Sequence, residues 1–377
     1  MKVVTIIGAR PQIIKAAAIS REIANNYVDR IKEIIVHTGQ HYDSNMSEVF
    51  FTELNIPRPD YNLNVGSGSH GVQTARMIEG IEEIVLKEQP DYVLLYGDTN
   101  STLAGATAAS KLNIPIVHIE AGLRSFNRRM PEEINRIVCD HLSTFLFSPT
   151  RTGYDNLVRE GFSEENEKTF TPDNPGIFHC GDIMYDNSLH FAQMASSRST
   201  ILEDHNLVSD AFVLATIHRD HNTDHEESLT AIFKALMEIA KERKVVLPLH
   251  PRTKNKLQEL ADEDFCKKVI EHEGLLLIPP VSFLDMIALE KNAKMVITDS
   301  GGVQKEAYFF NKPCVILRPE TEWIEILETG MAKLVSANYD KILETYNTFA
   351  ADKKVKFPSI FGKGRAAEFI CAKLFSN

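Results

Sequence analysis

Short apolar runs alternate with stretches of helical period along the whole chain. Runs at 3–7, 34–38, 92–96, 116–119 and 145–147 are separated by amphipathic stretches at 11–24, 71–87, 101–111 and 131–141. Strand runs alternating with helical segments predict βαβ units and a mostly parallel sheet. The segment 163–175, SEENEKTFTPDNP, is polar, acidic and rich in turn residues, which marks it as a linker. Beyond it the alternation restarts, with strands expected at 212–217, 245–249, 275–278, 295–298 and 314–317 and helices at 226–241 and 303–310. The expectation is α/β: two doubly wound domains facing a central cleft, with a ligand between the carboxyl ends of both sheets. We expect the first at 1–168 and the second at 177–360. A C-terminal helix within 361–377 is expected to pack back on the first domain.

Composition bounds the function without naming it. A chain of 377 residues suits two domains better than one core. With 41 Lys+Arg against 52 Asp+Glu, the net charge of -11 argues against a nucleic-acid or anionic-membrane partner. An anionic ligand must therefore be captured by local cations and backbone N–H groups. The five cysteines are scattered and never form a C-x-x-C pair. Neither a zinc site nor a disulfide framework is expected, and the usage fits a reducing cytoplasm. Met1 runs into the apolar segment 3–7, which reads as a strand rather than a signal peptide. No apolar run approaches the ~20 residues of a membrane span.

Four groups of residues at predicted strand ends carry candidate chemistry. Gly8-Ala9-Arg10-Pro11-Gln12-Ile13-Ile14-Lys15 follows the first strand, and Pro11 suits a first helical position. Arg10 and Lys15 then lie near a helix N-terminus, where a phosphate is favoured; the alternative is a turn with two solvated cations. The run has neither G-x-G-x-x-G nor G-x-x-x-x-G-K-[ST], so no dinucleotide fingerprint or Walker loop is present. Asp299-Ser300-Gly301-Gly302-Val303-Gln304-Lys305-Glu306 follows the strand at 295–298 and opens a helix. The N–H groups of Ser300, Gly301 and Gly302 suit a diphosphate, and Glu306, one turn on, suits two ribose hydroxyls. The plain alternative is a glycine turn and a surface glutamate.

Carboxylates recur at the strand and helix ends of the first half. Asp98 sits in G-D-T-N, Glu120 in H-I-E-A-G-L-R, and Glu132 and Glu133 open the helical stretch P-E-E-I-N-R. Asp98 also suits a helix cap, and Glu132 and Glu133 a helix dipole. Glu120 ends an apolar strand, where a charge is costly without a partner. Convergent carboxylates can transfer protons and stabilise a sugar cation. In the second half, His218-Arg219 and His250-Pro251-Arg252 end two strands and aim histidine–arginine pairs at one cleft.

In order along residues 3–330, the chain carries G-A-R-P-Q-I-I-K, H-T-G-Q-H, G-D-T-N-S, H-I-E-A-G-L-R, P-E-E-I-N-R, T-I-H-R, H-P-R-T and D-S-G-G-V-Q-K-E. With Arg318 and Glu320-Thr321-Glu322-Trp323, this ordered set resembles the non-hydrolysing UDP-N-acetylglucosamine 2-epimerases. The resemblance implies two Rossmann-like domains in a glycosyltransferase-B-like arrangement, with catalytic carboxylates in the first and UDP held by the second. It implies a cytoplasmic homodimer making polysaccharide precursors, with a UDP-sugar as partner and neither metal nor cofactor. Arg10, Lys15, Asp98, Glu120, Glu132 and His218 match the family's catalytic positions. His250, Phe283, Ser300, Gly301, Gly302, Glu306 and Arg318 match its nucleotide positions, with Phe283 on uracil.

Two stretches depart from the commonest pattern. Ser125-Phe126-Asn127-Arg128-Arg129-Met130 is short and basic, and Trp323-Ile324-Glu325 stands where Arg-Pro-Glu is usual. Both look like the branch acting on UDP-2,3-diacetamido-2,3-dideoxyglucuronate, whose extra carboxylate Arg128 or Arg129 suits. A solvated basic loop is the alternative. Gln40, His41 and Gln73 match parts of an activating UDP-sugar site found in the common bacterial form, but His70-Gly71-Val72 lacks the arginine expected before Gln73. The implied reaction eliminates UDP to a glycal and re-adds it with protonation from the opposite face. A hydrolysing 2-epimerase and a glycosyltransferase of the same fold share much of this equipment.

Overall fold

The computed structural model describes residues 1–40, 56–164, 169–260, 262–351 and 356–375. The chain divides into two units, Met1–Asn187 with Ser359–Asn377, and Ser188–Pro358.

In the first unit, seven parallel strands lie in the order β3-β2-β1-β4-β5-β6-β7. They are β1 Lys2–Ile7, β2 Lys32–His37, β3 Tyr61–Asn62, β4 Tyr92–Tyr96, β5 Ile116–Ile119, β6 Phe145–Ser148 and β7 Gly176–His179. The central strands are apolar at consecutive positions because helices cover both faces of the sheet. Val3, Val4, Val93, Leu94, Leu95 and Val117 are all fully buried. Helices Arg10–Asn26, His70–Glu88, Asn100–Lys111, Pro131–Leu142 and Arg151–Arg159 connect the strands.

The second unit repeats the plan with six parallel strands, β10-β9-β8-β11-β12-β13. These are β8 Val213–Thr216, β9 Val245–Pro248, β10 Leu275–Ile278, β11 Met295–Thr298, β12 Cys314–Ile316 and β13 Ala332–Leu334. Its core runs from Val213, Ala215 and Leu247 through Ile232, Phe233 and Leu236 of the helix Glu226–Ala240 to Ile342 and Tyr346 of Tyr339–Ala351. Among the described residues, no helix is long and apolar enough to cross a membrane.

Three strands carry no clear apolar run, and all lie at sheet edges: β3, β7 and β13. β7 changes the reading of the polar segment 163–175. That segment does not link the two halves; it returns the chain to the first sheet, where β7 pairs with β6. The pairing buries Ile177 and stacks Phe178 on Phe147 at 5.2 Å between ring centroids, which compensates the open edge of β6. The helix Ile183–Arg198 then carries the chain onward. The last helix, Ala366–Phe375, packs on Arg10–Asn26 in the first unit. Its amides Ala366 N–H and Ala367 N–H donate to the Asp186 carboxylate at 3.0 and 2.8 Å, a negatively charged cap at a helix start.

Candidate active site

The candidate motifs follow the carboxyl ends of strands, except P-E-E-I-N-R, which opens the helix Pro131–Leu142. In the first unit, β1 runs into Gly8, where an added Cβ would lie 2.0 Å from Ser101 Oγ, so there is room only for glycine. The buried Gln12 fixes the backbone there. Its Oε1 accepts from the N–H groups of Gly8 and Ala9 at 2.9 and 3.1 Å, and its Nε2 donates to the Tyr96 carbonyl at 2.8 Å. Gln12 thereby ties the start of the helix bearing Arg10 and Lys15 to the end of β4. Arg10 itself is exposed at the helix start.

Glu120 meets its partner. Lys15 Nζ forms an ion pair with Glu120 Oε2, both side chains being largely buried. Burial opposes the charge on Lys15, but Glu120 and Asp98 outweigh it and hold the ammonium above its ordinary range. Glu120 also has a φ of 77°, costly for a residue with a side chain. Gly97 (φ 62°) leaves room for the pair, since a Cβ there would stand 3.1 Å from Glu120 Oε2 and 3.2 Å from Lys15 Nζ.

Behind these groups lies a buried polar support. His118 contacts Asp140 Oδ1 through Nδ1 at 2.6 Å and the Gly97 carbonyl through Nε2 at 2.8 Å. Two acceptors on one ring require both nitrogens to donate, so the ring is an imidazolium. Burial opposes that charge, and the neighbouring Cys139 and Asp140 outweigh it. Asp98 is oriented separately: Arg136 Nε donates to Asp98 Oδ2 at 2.9 Å, and Asn135 Nδ2 donates to the Asp98 carbonyl at 2.9 Å.

Glu132 and Glu133 open the same helix but behave differently. Glu133 is buried and accepts from Ser125 N–H, Phe126 N–H and Arg136 Nη1 at 2.8, 2.9 and 2.6 Å. Burial raises its pKa, yet these donors win and hold the carboxyl below its usual range. Glu133 therefore anchors the loop 125–130, on which Arg128 and Arg129 stand exposed. Glu132 is exposed and joins Asp98, Asn100, Asn135, His70 and Gln73 in lining a cavity of about 610 Å³. Gln40 lies on the same wall and accepts from Ser101 Oγ at 2.7 Å. His41 lies outside the described residues.

In the second unit, the buried Asp299 organises the end of β8. Its carboxylate accepts from the N–H groups of His218 and Arg219, each at 3.0 Å, and from Asn222 Nδ2 at 3.1 Å. It also lies 3.2 Å from His218 Nδ1, which favours the Nδ1–H tautomer and presents Nε2 as an acceptor. Burial lowers the His218 pKa, with Arg219 and His250 adding to the effect and Asp299 opposing it. The His250 ring is 5.7 Å away between centroids. Arg252 is engaged elsewhere, its Nη2 donating to Asp224 at 2.6 Å.

Ser300 caps the helix Gly301–Phe309 without a side-chain hydrogen bond of its own to the first turn. Arg318 approaches the same turn and makes a bidentate pair with Glu322 at 2.9 and 3.1 Å. Burial lifts the Glu306 carboxyl to about 7 against the opposing charge of Lys305. Glu290 is fully buried with neither oxygen hydrogen-bonded, and burial, with Glu306 adding to it, pushes its pKa well up and favours the neutral acid. Phe283 begins a neighbouring helix, Phe283–Asn292, edge-on to Phe191 with centroids 5.2 Å apart.

The first unit thus brings Lys15, Asp98 and Glu120 together, with Glu132 lining the same cavity as Asp98. The second gathers Ser300, Gly301, Gly302, Glu306 and Arg318 on one helix end and pairs His218 with His250. The supporting roles of Gln12, His118, Arg136 and Asp299, all inside the quoted motifs, and of Asp140, outside them, were not read from the sequence. His118 and Asp299 carried a signal, because each interrupts or ends an apolar strand as Glu120 does.

Carboxylates at the strand ends of one parallel sheet and a glycine-led helix end in another define a two-unit α/β enzyme of nucleotide-sugar chemistry. The profile of the family described as UDP-N-acetylglucosamine 2-epimerase matches residues 23–375, and the chain belongs to that family. It is 50% identical over 379 residues to the UDP-2,3-diacetamido-2,3-dideoxy-D-glucuronate 2-epimerase of Pseudomonas aeruginosa, covering 99% of each chain. It is also 50% identical to a UDP-N-acetylglucosamine 2-epimerase homolog of Methanococcus maripaludis, covering 97% of each chain. Among solved structures, the UDP-GlcNAc 2-epimerase of Methanocaldococcus jannaschii superposes with a TM-score of 0.87 at 39% identity, covering 100% of both chains. A structure of the Methanocaldococcus enzyme in complex with UDP-GlcNAc and UDP gives 0.79 at 41% identity, again over 100% of both chains. The relatives are UDP-sugar 2-epimerases, which are isomerases.

Proposed function

We propose that this chain is a non-hydrolysing UDP-sugar 2-epimerase whose substrate is UDP-2,3-diacetamido-2,3-dideoxyglucuronate. The observation that carries the uronate reading is the loop 125–130. Glu133 holds its backbone, Arg128 and Arg129 stand exposed on it, and Pro131 and Glu132, which follow it in the chain, line the carboxylate-lined cavity. A guanidinium there supplies a partner for the sugar carboxylate that N-acetylglucosamine lacks. Similarity to the Pseudomonas enzyme supports the same reading. UDP-N-acetylglucosamine is the second reading, supported by the 42% identical UDP-N-acetylglucosamine 2-epimerase of Methanocaldococcus jannaschii.

The chemistry follows from the substrate. The hydrogen on carbon 2 is not beside a carbonyl, so direct deprotonation is too slow. Breaking the bond from carbon 1 to the diphosphate oxygen sends that electron pair onto UDP and leaves an oxocarbenium-like centre. A carboxylate then takes the carbon-2 proton, and the released pair closes a double bond between carbons 1 and 2. Return of a proton to the opposite face, with UDP adding back at carbon 1, yields the epimer. Asp98, Glu120 and Glu132 are the candidates for proton transfer and cation stabilisation. Arg10, Lys15, His218 and the Ser300–Gly302 helix end are candidates for the departing diphosphate, with Glu306 on ribose, Phe283 on uracil, and His250 and Arg318 as further nucleotide contacts.

Proton NMR in deuterated water, with each pure nucleotide sugar and no acceptor, tests the proposal. We expect the manno epimer of the diacetamidoglucuronate, carrying deuterium at carbon 2, with no accumulation of UDP. Turnover of UDP-N-acetylglucosamine alone would overturn the uronate assignment. Release of free sugar and UDP would mark a hydrolysing enzyme, and conversion only with an acceptor a glycosyltransferase. We take the working form to be a cytoplasmic homodimer. Five cysteines without a disulfide support the reducing compartment, and light scattering on the purified protein tests the dimer.

A further inference from the structure

Trp323, the single tryptophan of the chain, is built into the helix end that the nucleotide reading assigns to the diphosphate. Its indole Nε1–H donates to the Gly301 carbonyl at 3.1 Å. Its backbone N–H donates to Thr321 Oγ1 at 3.2 Å, and that hydroxyl donates to Gln304 Oε1 at 2.6 Å. Lys305, only 5% exposed, holds its ammonium 4.0 Å from the centre of the Trp323 ring. Two hydrogen bonds and a cation–π contact thus fasten residues 321–323 across the first turn of Gly301–Phe309. The same strap carries Glu322, which holds Arg318 near Gly301: a Cβ there would meet Glu322 Oε2 at 3.4 Å and Arg318 Nη1 at 3.5 Å.

The consequence lies in the Gly301–Gly302 peptide. A trans peptide is planar, so its C=O and N–H point in opposite directions, and fixing one fixes the other. Trp323 holds the Gly301 oxygen and thereby sets the direction of the Gly302 N–H, which leaves the helix end toward an anion. Gly301 and Gly302 open the helix Gly301–Phe309, so the helix already orients this peptide, and the indole adds a second restraint where two successive glycines would otherwise leave the first turn soft.

We infer that Trp323 and Lys305 are a positioning pair: the indole, held flat by the ammonium, aims the Gly302 amide and ties the Arg318 segment to the diphosphate-binding turn. This rests on the nucleotide reading above. Neither residue need touch the substrate, so the pair acts on binding and not on the chemical step.

Titrating the full chain with UDP, followed by calorimetry and by the emission of Trp323, tests the inference. In the wild type we expect the emission to change with the calorimetric midpoint. Trp323→Phe keeps a ring over Lys305 but lacks the N–H donor, and Lys305→Met keeps the stem but lacks the charge. Each is expected to weaken UDP binding and raise KM for the UDP-sugar about tenfold, with kcat within about twofold. Circular dichroism checks that both variants are folded, and the wild-type emission titration stands even where one is not. UDP binding by the wild type without any emission change, or folded variants that bind UDP like the wild type, would overturn the positioning role and leave the nucleotide reading intact. No calorimetric binding of UDP to the wild type would bring down the nucleotide reading itself.

Discussion

Lys15 and Glu120 neutralise one another behind Gly97, with only 13% and 11% of their side chains exposed. The Glu120 carboxylate is held at a strained backbone position, beside a Lys15 ammonium that also feels the charge of Asp98.

Removing one partner of that pair strands the other. Lys15→Met is expected to lower stability by about 3 kcal/mol, because it leaves a largely buried carboxylate uncompensated. The double variant Lys15→Met/Glu120→Gln should recover most of that loss and remain inactive. Denaturant unfolding of both proteins, alongside the NMR turnover assay, checks the expectation. Additive losses would show that the two side chains do not interact.

Asp299 should act on the reaction through His218. Asp299→Asn removes the charge that accepts the His218 and Arg219 amides, at a cost of about 2 kcal/mol in stability, and releases the imidazole tautomer. We expect turnover to fall about 100-fold. On a His218→Gln background the same substitution should change turnover by less than about threefold, since residues acting as a unit are not additive. A full additional loss there would separate Asp299 from His218.

With its carboxyl lifted to about 7, Glu306 on ribose is expected to make nucleotide affinity depend on pH near neutrality. The ionised form accepts hydroxyl hydrogen bonds more strongly, so affinity rises as pH increases through this value. Between pH 6 and 8, UDP affinity should rise about tenfold in the wild type beyond any change seen in Glu306→Gln. The comparison cancels titration of the ligand's own phosphate. Equal pH profiles for the two proteins would remove Glu306 from the site.

Glu290 is expected to weaken the fold at neutral pH. Its native pKa lies well above the ordinary 4.5, so folding favours the protonated acid. Stability from that preference is complete below pH 4.5 and is lost progressively as pH rises toward the native value. Glu290→Met should therefore raise the Tm, by about 1–2 kcal/mol of stability at pH 8, with a smaller gain at pH 4. A gain independent of pH would show that the carboxyl is not titrating in this way.

The apolar periodicity determined the α/β class and most elements, because strands buried on both faces must be continuously apolar and their crossover helices must be amphipathic. The strand at 92–96 and the helix starting at Pro131 are legible from that rule alone. β3, β7 and β13 were not, since edge strands such as Tyr61–Asn62 are short and owe their conformation to the neighbour they pair with. The sequence also marked Asp98, Glu120, Glu306 and the Ser300–Gly302 turn by their place at strand or helix ends. Which charges meet depends on how the elements assemble: Lys15 reaches Glu120 across 105 positions of chain, and Asp299 reaches His218 across 81. Periodicity reports which face of an element is buried, whereas the partner of a buried charge depends on how distant elements stack, and that is settled by packing.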